Sequence, residues 1–171
     1  MQWHEIPTAE GAFLARYSSK GLAELRFPGP DAPILRDALE PTSTWDMLTT
    51  AAVIAILRGE IPRNLPPLDL TGHTPFRIRV WEQLQEISLG QTATYSEIAV
   101  RVGDLKATRA VGGACGANPI SLIIPCHRVL AAGRKLGGFS GGLHWKRKLL
   151  AVEGIKIETA AEQLDFASAA I

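Results

Sequence analysis

The spacing of hydrophobic positions changes along the chain. Residues 1–30 alternate weakly between apolar and polar, with turn residues at Ser18-Ser19-Lys20-Gly21 and Pro28-Gly29-Pro30. Phe13 to Tyr17 and Leu22 to Phe27 flank the first of these turns, which predicts a hairpin. A helix is expected from Thr44 to Arg58, with Thr44 as its cap and Gly59 as its stop. Ile61 to Thr71 holds three prolines and reads as a connector poor in strand. A domain boundary is placed near residue 72. Pro75 then suits the first turn of a helix, and Phe76, Val80, Leu84 and Ile87 recur on one face before Gly90. Thr94-Tyr95-Ser96-Glu97 has the form of a capping box, followed by apolar Ile98, Ala99 and Val102 and closed by Gly103. A further helix is expected from about Lys106 to Gly116. Two short helices joined by a tight glycine-containing turn outline a helix-turn-helix, an outline shared by many pairs that only pack.

The second helix of that pair is interrupted by Gly112, Gly113 and Gly116, with Ala110, Ala114 and Ala117 beside them. Each interior glycine costs roughly 1 kcal/mol against alanine. Small residues permit close approach of a backbone, either to another helix or to a DNA groove, with Arg109 projecting from the same helix. After Asn118-Pro119, the run Ile120–Ile124 predicts a buried strand or extended segment. It delivers Pro125-Cys126-His127-Arg128. A glycine-rich loop follows at 137–142, then a last helix from His144 to Val152.

Charge adds an asymmetry to this outline. The net +1 of the 171 residues divides into −3 over residues 1–72, +6 over 73–158 and −2 over 159–171. The basic second half fits a polyanionic partner such as nucleic acid, or a solvated basic face. The charge-free stretch Met47–Leu57 is far shorter than the ~20 apolar residues of a membrane span, so no membrane association is expected. The first residues, with Glu5 and Pro7, lack the apolar core of a secretory leader. Two cysteines cannot build a disulfide framework, and a reducing, cytoplasmic compartment is expected.

Cys126 beside His127, at the end of an apolar run, is a candidate nucleophile. The thiolate is the reactive species, and a neighbouring imidazole favours it. On an extended chain adjacent side chains point to opposite faces, so contact needs a bridging water or a local turn. Pro125 fixes the entry to such a turn, and Glu153 is a candidate carboxylate to orient the imidazole. The competing reading is an inert buried cysteine beside a surface histidine. Cys115, Cys126 and the four histidines lack zinc spacing, and the glycine loops match neither a dinucleotide nor a phosphate-loop fingerprint. No metal and no cofactor are therefore expected. His4, His73 and His144 are expected at the surface, and Cys115 as a packing residue.

The run from Asn118 through Pro125-Cys126-His127-Arg128 to Val129 resembles the active-site signature of the O6-alkylguanine-DNA alkyltransferases, also called methylated-DNA–protein-cysteine methyltransferases. The resemblance extends over most of residues 74–154. It includes Tyr95-Ser96-Glu97-Ile98-Ala99, Thr108 to Ala114, and Gly141-Gly142-Leu143 followed by Lys146 and Leu149-Leu150. Residues 1–72 resemble the variable N-terminal domain only in size and position. The resemblance implies an α+β chain. A small sheet-and-helix domain (1–72) would precede a helical, winged-helix-like DNA-binding domain (73–158) that carries the site, with 159–171 a peripheral tail.

The resemblance also implies roles. Cys126 would accept the alkyl group, His127 would take its proton through a water, and Glu153 would hold the imidazole. Asn118 would tie the DNA-binding helix to the active-site turn. Tyr95 would help rotate the lesion out and protonate the leaving guanine. Thr108, Arg109, Gly112, Gly113 and Ala114 would meet DNA, with Arg109 replacing the flipped base. Pro125, Val129, Phe139 and Ser140 would form the base pocket, the main chain around Val129 and Ser140 bonding the guanine edge. Phe139 stands where many members carry tyrosine, so any role of that hydroxyl is absent. The zinc site of some relatives lacks its cysteines in residues 1–72. The implied function is irreversible, single-turnover transfer of alkyl groups from O6-alkylguanine, and from O4-alkylthymine, in double-stranded DNA to Cys126 of a monomer. The rival readings are a non-catalytic sensor of alkylated DNA or DNA-binding regulator, and a Cys-His hydrolase.

Overall fold

The computed structural model describes residues 3–29 and 43–157. Three antiparallel strands come first, β1 (Trp3–Ile6), β2 (Phe13–Tyr17) and β3 (Leu22–Arg26), in the order β1-β2-β3. Ala15 faces His4 on one side and Leu25 on the other. The hairpin lies where its turn residues predict. β1 was not expected: the weak alternation of residues 1–30 does not single it out, and only Ile6 of its four residues is buried. Pro30 of the second turn and the tail 159–171 lie outside the described residues.

Helix α1 (Thr44–Leu57) is capped by Ser43 rather than Thr44. Ser43 has extended backbone angles, and its Oγ accepts from the Asp46 amide at 3.2 Å. At the other end Gly59 donates to the Ile56 carbonyl and Glu60 to that of Ala55, closing the helix through a left-handed glycine at φ +72°. Thr74 caps α2 (Pro75–Gln85), whose Val80 and Leu84, with Ile87 beyond its end, are buried. β4 (Ala93–Thr94) leads into α3 (Tyr95–Arg101), and the reciprocal capping box of Thr94 and Glu97 is formed. Helix α4 (Thr108–Gly116) begins later than expected. Asp104 accepts the Lys106 amide on its side chain and the Ala107 amide on its carbonyl, so residues 104–107 form a turn. β5 (Val129–Leu130) pairs in parallel with β4, and α5 (Leu143–Val152) completes the described chain.

Residues 120–124 are buried as expected, but they are a turn, not a strand. Leu122 sits at φ +87°, the Ile124 amide donates to the Ile120 carbonyl, and Asn118 Oδ1 accepts the Ile120 amide at 3.1 Å. The asparagine side chain takes over a bond that a strand neighbour would have made.

One buried cluster joins Phe13, Leu22 and Leu25 of the sheet, Val53 and Ile56 of α1, Trp81 and Leu84 of α2, and Trp145 and Leu149 of α5. Main-chain bonds reinforce it. Leu22 donates to Pro67, and Leu25 donates to Pro119 at the edge of the active-site turn, each at 2.8 Å. Among the described residues no helix is long and apolar enough to cross a membrane.

Gly59 also makes a close approach. A Cβ there would lie 2.2 Å from the Val152 carbonyl oxygen of α5, whereas Gly72, also left-handed, faces open space. Gly72→Ala should cost about 1 kcal/mol of backbone strain, and Gly59→Ala clearly more, since backbone must move as well. Denaturant midpoints of the two variants check this. Equal losses would show that the contact with α5 carries no weight.

Candidate active site

Pro125, at φ −81° and ψ 61°, directs the chain into a single 3-10 turn, Cys126–Arg128. Successive side chains on such a turn differ by about 120°, so Cys126 and His127 are not on opposite faces. The turn brings no hydrogen bond between the thiol and the ring: Cys126 Sγ meets Asn118 and Ser121, and the ring meets Glu153. Cys126 is 3% exposed and His127 fully buried.

Asn118, just beyond α4, positions the thiol. Its Nδ2 donates to the Ile124 carbonyl at 2.8 Å and to Cys126 Sγ at 3.2 Å. Ser121 Oγ lies 3.8 Å from the same sulfur, a contact the sequence did not suggest. Burial pushes the Cys126 thiol up, against the opposing pull of Asn118, Ser121 and the Lys146 ammonium. The thiol therefore rests protonated at neutral pH and needs a base.

His127 supplies a candidate. Its Nε2 lies 2.8 Å from Glu153 Oε1. Arg128 also reaches Glu153, with Nε at 2.9 Å from Oε2 and Nη2 at 3.0 Å from Oε1. Burial alone would raise the carboxyl, but the bonds from His127 and Arg128 outweigh it and hold Glu153 at about 2. An ionised carboxylate only accepts, so Nε2 carries the imidazole proton. Burial lowers the imidazole pKa more than Glu153 raises it, which keeps the ring neutral. Nδ1 is then the basic nitrogen. It is buried, and no described residue bonds it.

Cys126 opens onto a cavity of about 210 Å³ lined by Tyr95, Gly112, Cys115, Gly116, Gly138, Phe139 and Ser140. Burial raises the Tyr95 phenol, which stays neutral. Pro125 and Val129 are buried and do not line this cavity, and the Val129 carbonyl accepts from Lys146 Nζ at 2.7 Å.

The motif that contains Lys146 does not by itself show what its ammonium does. Lys146 is fully buried, and its ammonium also donates to the carbonyls of Leu136 and Gly138, clamping the loop that walls the cavity. A signal was available: Lys146 shares the helical spacing of buried Leu149 and Leu150. Burial lowers its pKa to about 8.

Helix α4 divides into two faces. Thr108, Arg109, Gly113 and Gly116 are exposed and Gly112 is half-buried, while Val111, Ala114 and Cys115 are buried. Ala114 is a correction. It is 2% exposed, and its carbonyl accepts from Trp81 Nε1 at 2.8 Å, so its side chain packs inward rather than meeting DNA. Cys115 is buried as expected, yet it walls the cavity. Of the three histidines expected at the surface only His144 is exposed. His4 pairs with Asp46 at 3.0 Å, and His73 lies edge-on to Trp81.

A buried cysteine at the wall of a small cavity, one residue from a histidine paired with a buried carboxylate, is an arrangement of the nucleophilic-cysteine class. The 6-O-methylguanine DNA methyltransferase DNA-binding domain matches residues 75–155. A Haemophilus influenzae protein named methylated-DNA–protein-cysteine methyltransferase is 55% identical over 82 residues, 48% of this chain and 46% of that one. This chain thus spans about half the length of that relative. A Mycobacterium leprae protein of the same name is 44% identical over 111 residues, 65% of this chain and 67% of its own. The crystal structure of Mycobacterium tuberculosis OGT in complex with DNA superposes with a TM-score of 0.73 at 35% identity, over 90% of this chain and 92% of that one. The chain belongs to the methylated-DNA–protein-cysteine methyltransferase family.

The depressed Glu153 carboxyl has a consequence for stability. A carboxyl lowered from 4.5 to about 2 contributes stability that is fully present above pH 4.5 and is lost as pH falls through about 2. The stability gap between the protein and Glu153→Gln should be full at pH 6 and shrink below pH 4.5. A gap independent of pH over that window would contradict the ionised, doubly bonded carboxylate.

Proposed function

We propose that the protein transfers alkyl groups, methyl above all, irreversibly from O6 of guanine (and O4 of thymine) in double-stranded DNA to Sγ of Cys126. One molecule repairs one lesion. The observation that carries this reading is Cys126, held by Asn118 at the wall of a cavity lined also by Gly112 and Gly116 of α4, one residue from a His127 paired with Glu153. The names of the relatives and the DNA complex of the mycobacterial protein support it.

The target atom is inside the duplex, so the nucleotide must be flipped out at a cost of a few kcal/mol. The α3–α4 pair, with the short β4–β5 ladder, acts as a winged-helix-like DNA reader on the unit 73–158, which the strands β1–β3 and helix α1 buttress. Thr108, Gly112 and Gly113 let α4 approach the groove, and Arg109 fills the gap left by the lesion. The base enters between Tyr95 and Phe139, with its edge on the main chain near Ser140. His127 Nδ1 takes the thiol proton through a water. The thiolate attacks the alkyl carbon, the bond from that carbon to O6 breaks, and Tyr95 protonates the departing guanine. The product is a thioether, which the protein has no route to reverse. The protein works as a cytoplasmic monomer without cofactor.

The test is a duplex containing labelled O6-methylguanine. The label should appear on Cys126, once per molecule, and Cys126→Ala should bind DNA without accepting it. Label on Cys115, or repeated release of label to solution, would overturn the reading. Binding by the unaltered protein without transfer would instead favour a sensor.

Arg109 separates flipping from simple affinity. Arg109→Ala should slow reaction with duplex DNA on the order of tenfold or more, because flipping costs a few kcal/mol. Reaction with free O6-benzylguanine, which needs no flipping, should change little. Equal losses on both substrates would refute the role.

A further inference from the structure

Cys115 and Cys126 line the same cavity, from different elements. They are close enough that charge on Cys126 raises the Cys115 thiol. Among the eight lining residues they are the two strong nucleophiles, the others being three glycines, Tyr95, Phe139 and Ser140. The alkyl group that reaches Cys126 is therefore delivered into a cavity whose wall holds a second sulfur.

We infer that Cys115 is a second acceptor of this cavity, used when the lesion carries a leaving group on its second carbon, as an O6-(2-haloethyl)guanine does. The inference rests on the transfer to Cys126 proposed above. In the first step Cys126 sulfur bonds the carbon attached to O6, that C–O bond breaks, and guanine leaves as it does from a methyl lesion. Cys126 then carries S–CH2–CH2–halogen. Its sulfur displaces the halide and closes a three-membered sulfonium ring. Cys115 sulfur bonds one ring carbon, and the breaking C–S bond returns its electron pair to Cys126 sulfur. The Cys115 proton passes to water. The products are an ethylene bridge between the two sulfurs, one halide ion, one proton and a restored guanine, with no oxidant or reductant consumed.

The shared cavity favours Cys115. A sulfur held beside the electrophile acts as an intramolecular reagent, whereas water and DNA bases must reach the buried ring from outside. The bridge would thus keep the reactive second carbon from cross-linking the protein to the DNA it has repaired.

The test uses the full chain with duplexes containing O6-(2-chloroethyl)guanine or O6-methylguanine. After the chloroethyl lesion the protein should gain the mass of two carbons and two hydrogens. The denatured product should have no thiol left to alkylate. Both cysteines fall in one tryptic peptide, residues 110–128, which should carry the whole gain. In Cys115→Ser and Cys115→Ala the adduct on Cys126 should end as a hydroxyethyl group or as a protein–DNA cross-link. A wild-type product with one free thiol, or with as much cross-link as the variants, overturns the inference. If the variants do not fold, the thiol count of the wild type decides alone. Failure of methyl transfer would sink the underlying reading, whereas methyl transfer without a bridge would sink this one only.

Discussion

The buried carboxylate of Glu153 is the interaction on which the rest of the site depends. A charge out of water persists only when it is paired and fully hydrogen-bonded. Glu153 meets that condition at the end of α5 with His127, Arg128 and the Gly90 amide as donors. Arg128 continues the chain to the Ile87 carbonyl beyond α2 at 2.6 Å. One side chain thus joins the ends of two helices to the turn that carries Cys126. It also sets the tautomer of His127, and hence which nitrogen is basic.

The same constraint explains why the thiol is held in reserve. Burial favours the protonated thiol of Cys126, so in the proposed transfer its reactivity would wait for a base and a substrate that excludes water. The cavity wall is held by another buried ion, Lys146, which binds three carbonyls of the 129–138 loop. Helix α4 meets two demands at once. Its Val111, Ala114 and Cys115 complete the core, and its glycines and Arg109 stay outside, a division that follows directly from the helical period.

Where periodicity and capping chemistry agree, the sequence was legible. The Thr94–Glu97 box and the Phe76 to Ile87 stripe located α2 and α3 to within a few residues. Local side-chain bonds defeated the pattern elsewhere. Asn118 turns an apolar run into a tight turn, Asp104 delays α4, and Ser43 takes the cap from Thr44. β1 was invisible because its burial comes from a single residue. At the site, the Cys126-His127 pair and Glu153 as a partner for the imidazole could be singled out from the residues, and Asn118 only through the family resemblance. The contact of Ser121 with the sulfur and the clamp of Lys146 could not be, because each depends on long-range placement of a loop that no periodicity encodes. Ala114 was misplaced because a motif read as a block ignores which face each of its residues occupies.

The account stands on a neutral His127 whose proton is on Nε2 and whose Nδ1 is free to act as base. Nitrogen-15 NMR of the imidazole in the free protein at pH 7 measures this directly. The account predicts one protonated nitrogen, Nε2, bonded to Glu153, and one unprotonated nitrogen, Nδ1, with the pattern lost in Glu153→Gln. A doubly protonated ring, or a proton on Nδ1, would contradict it.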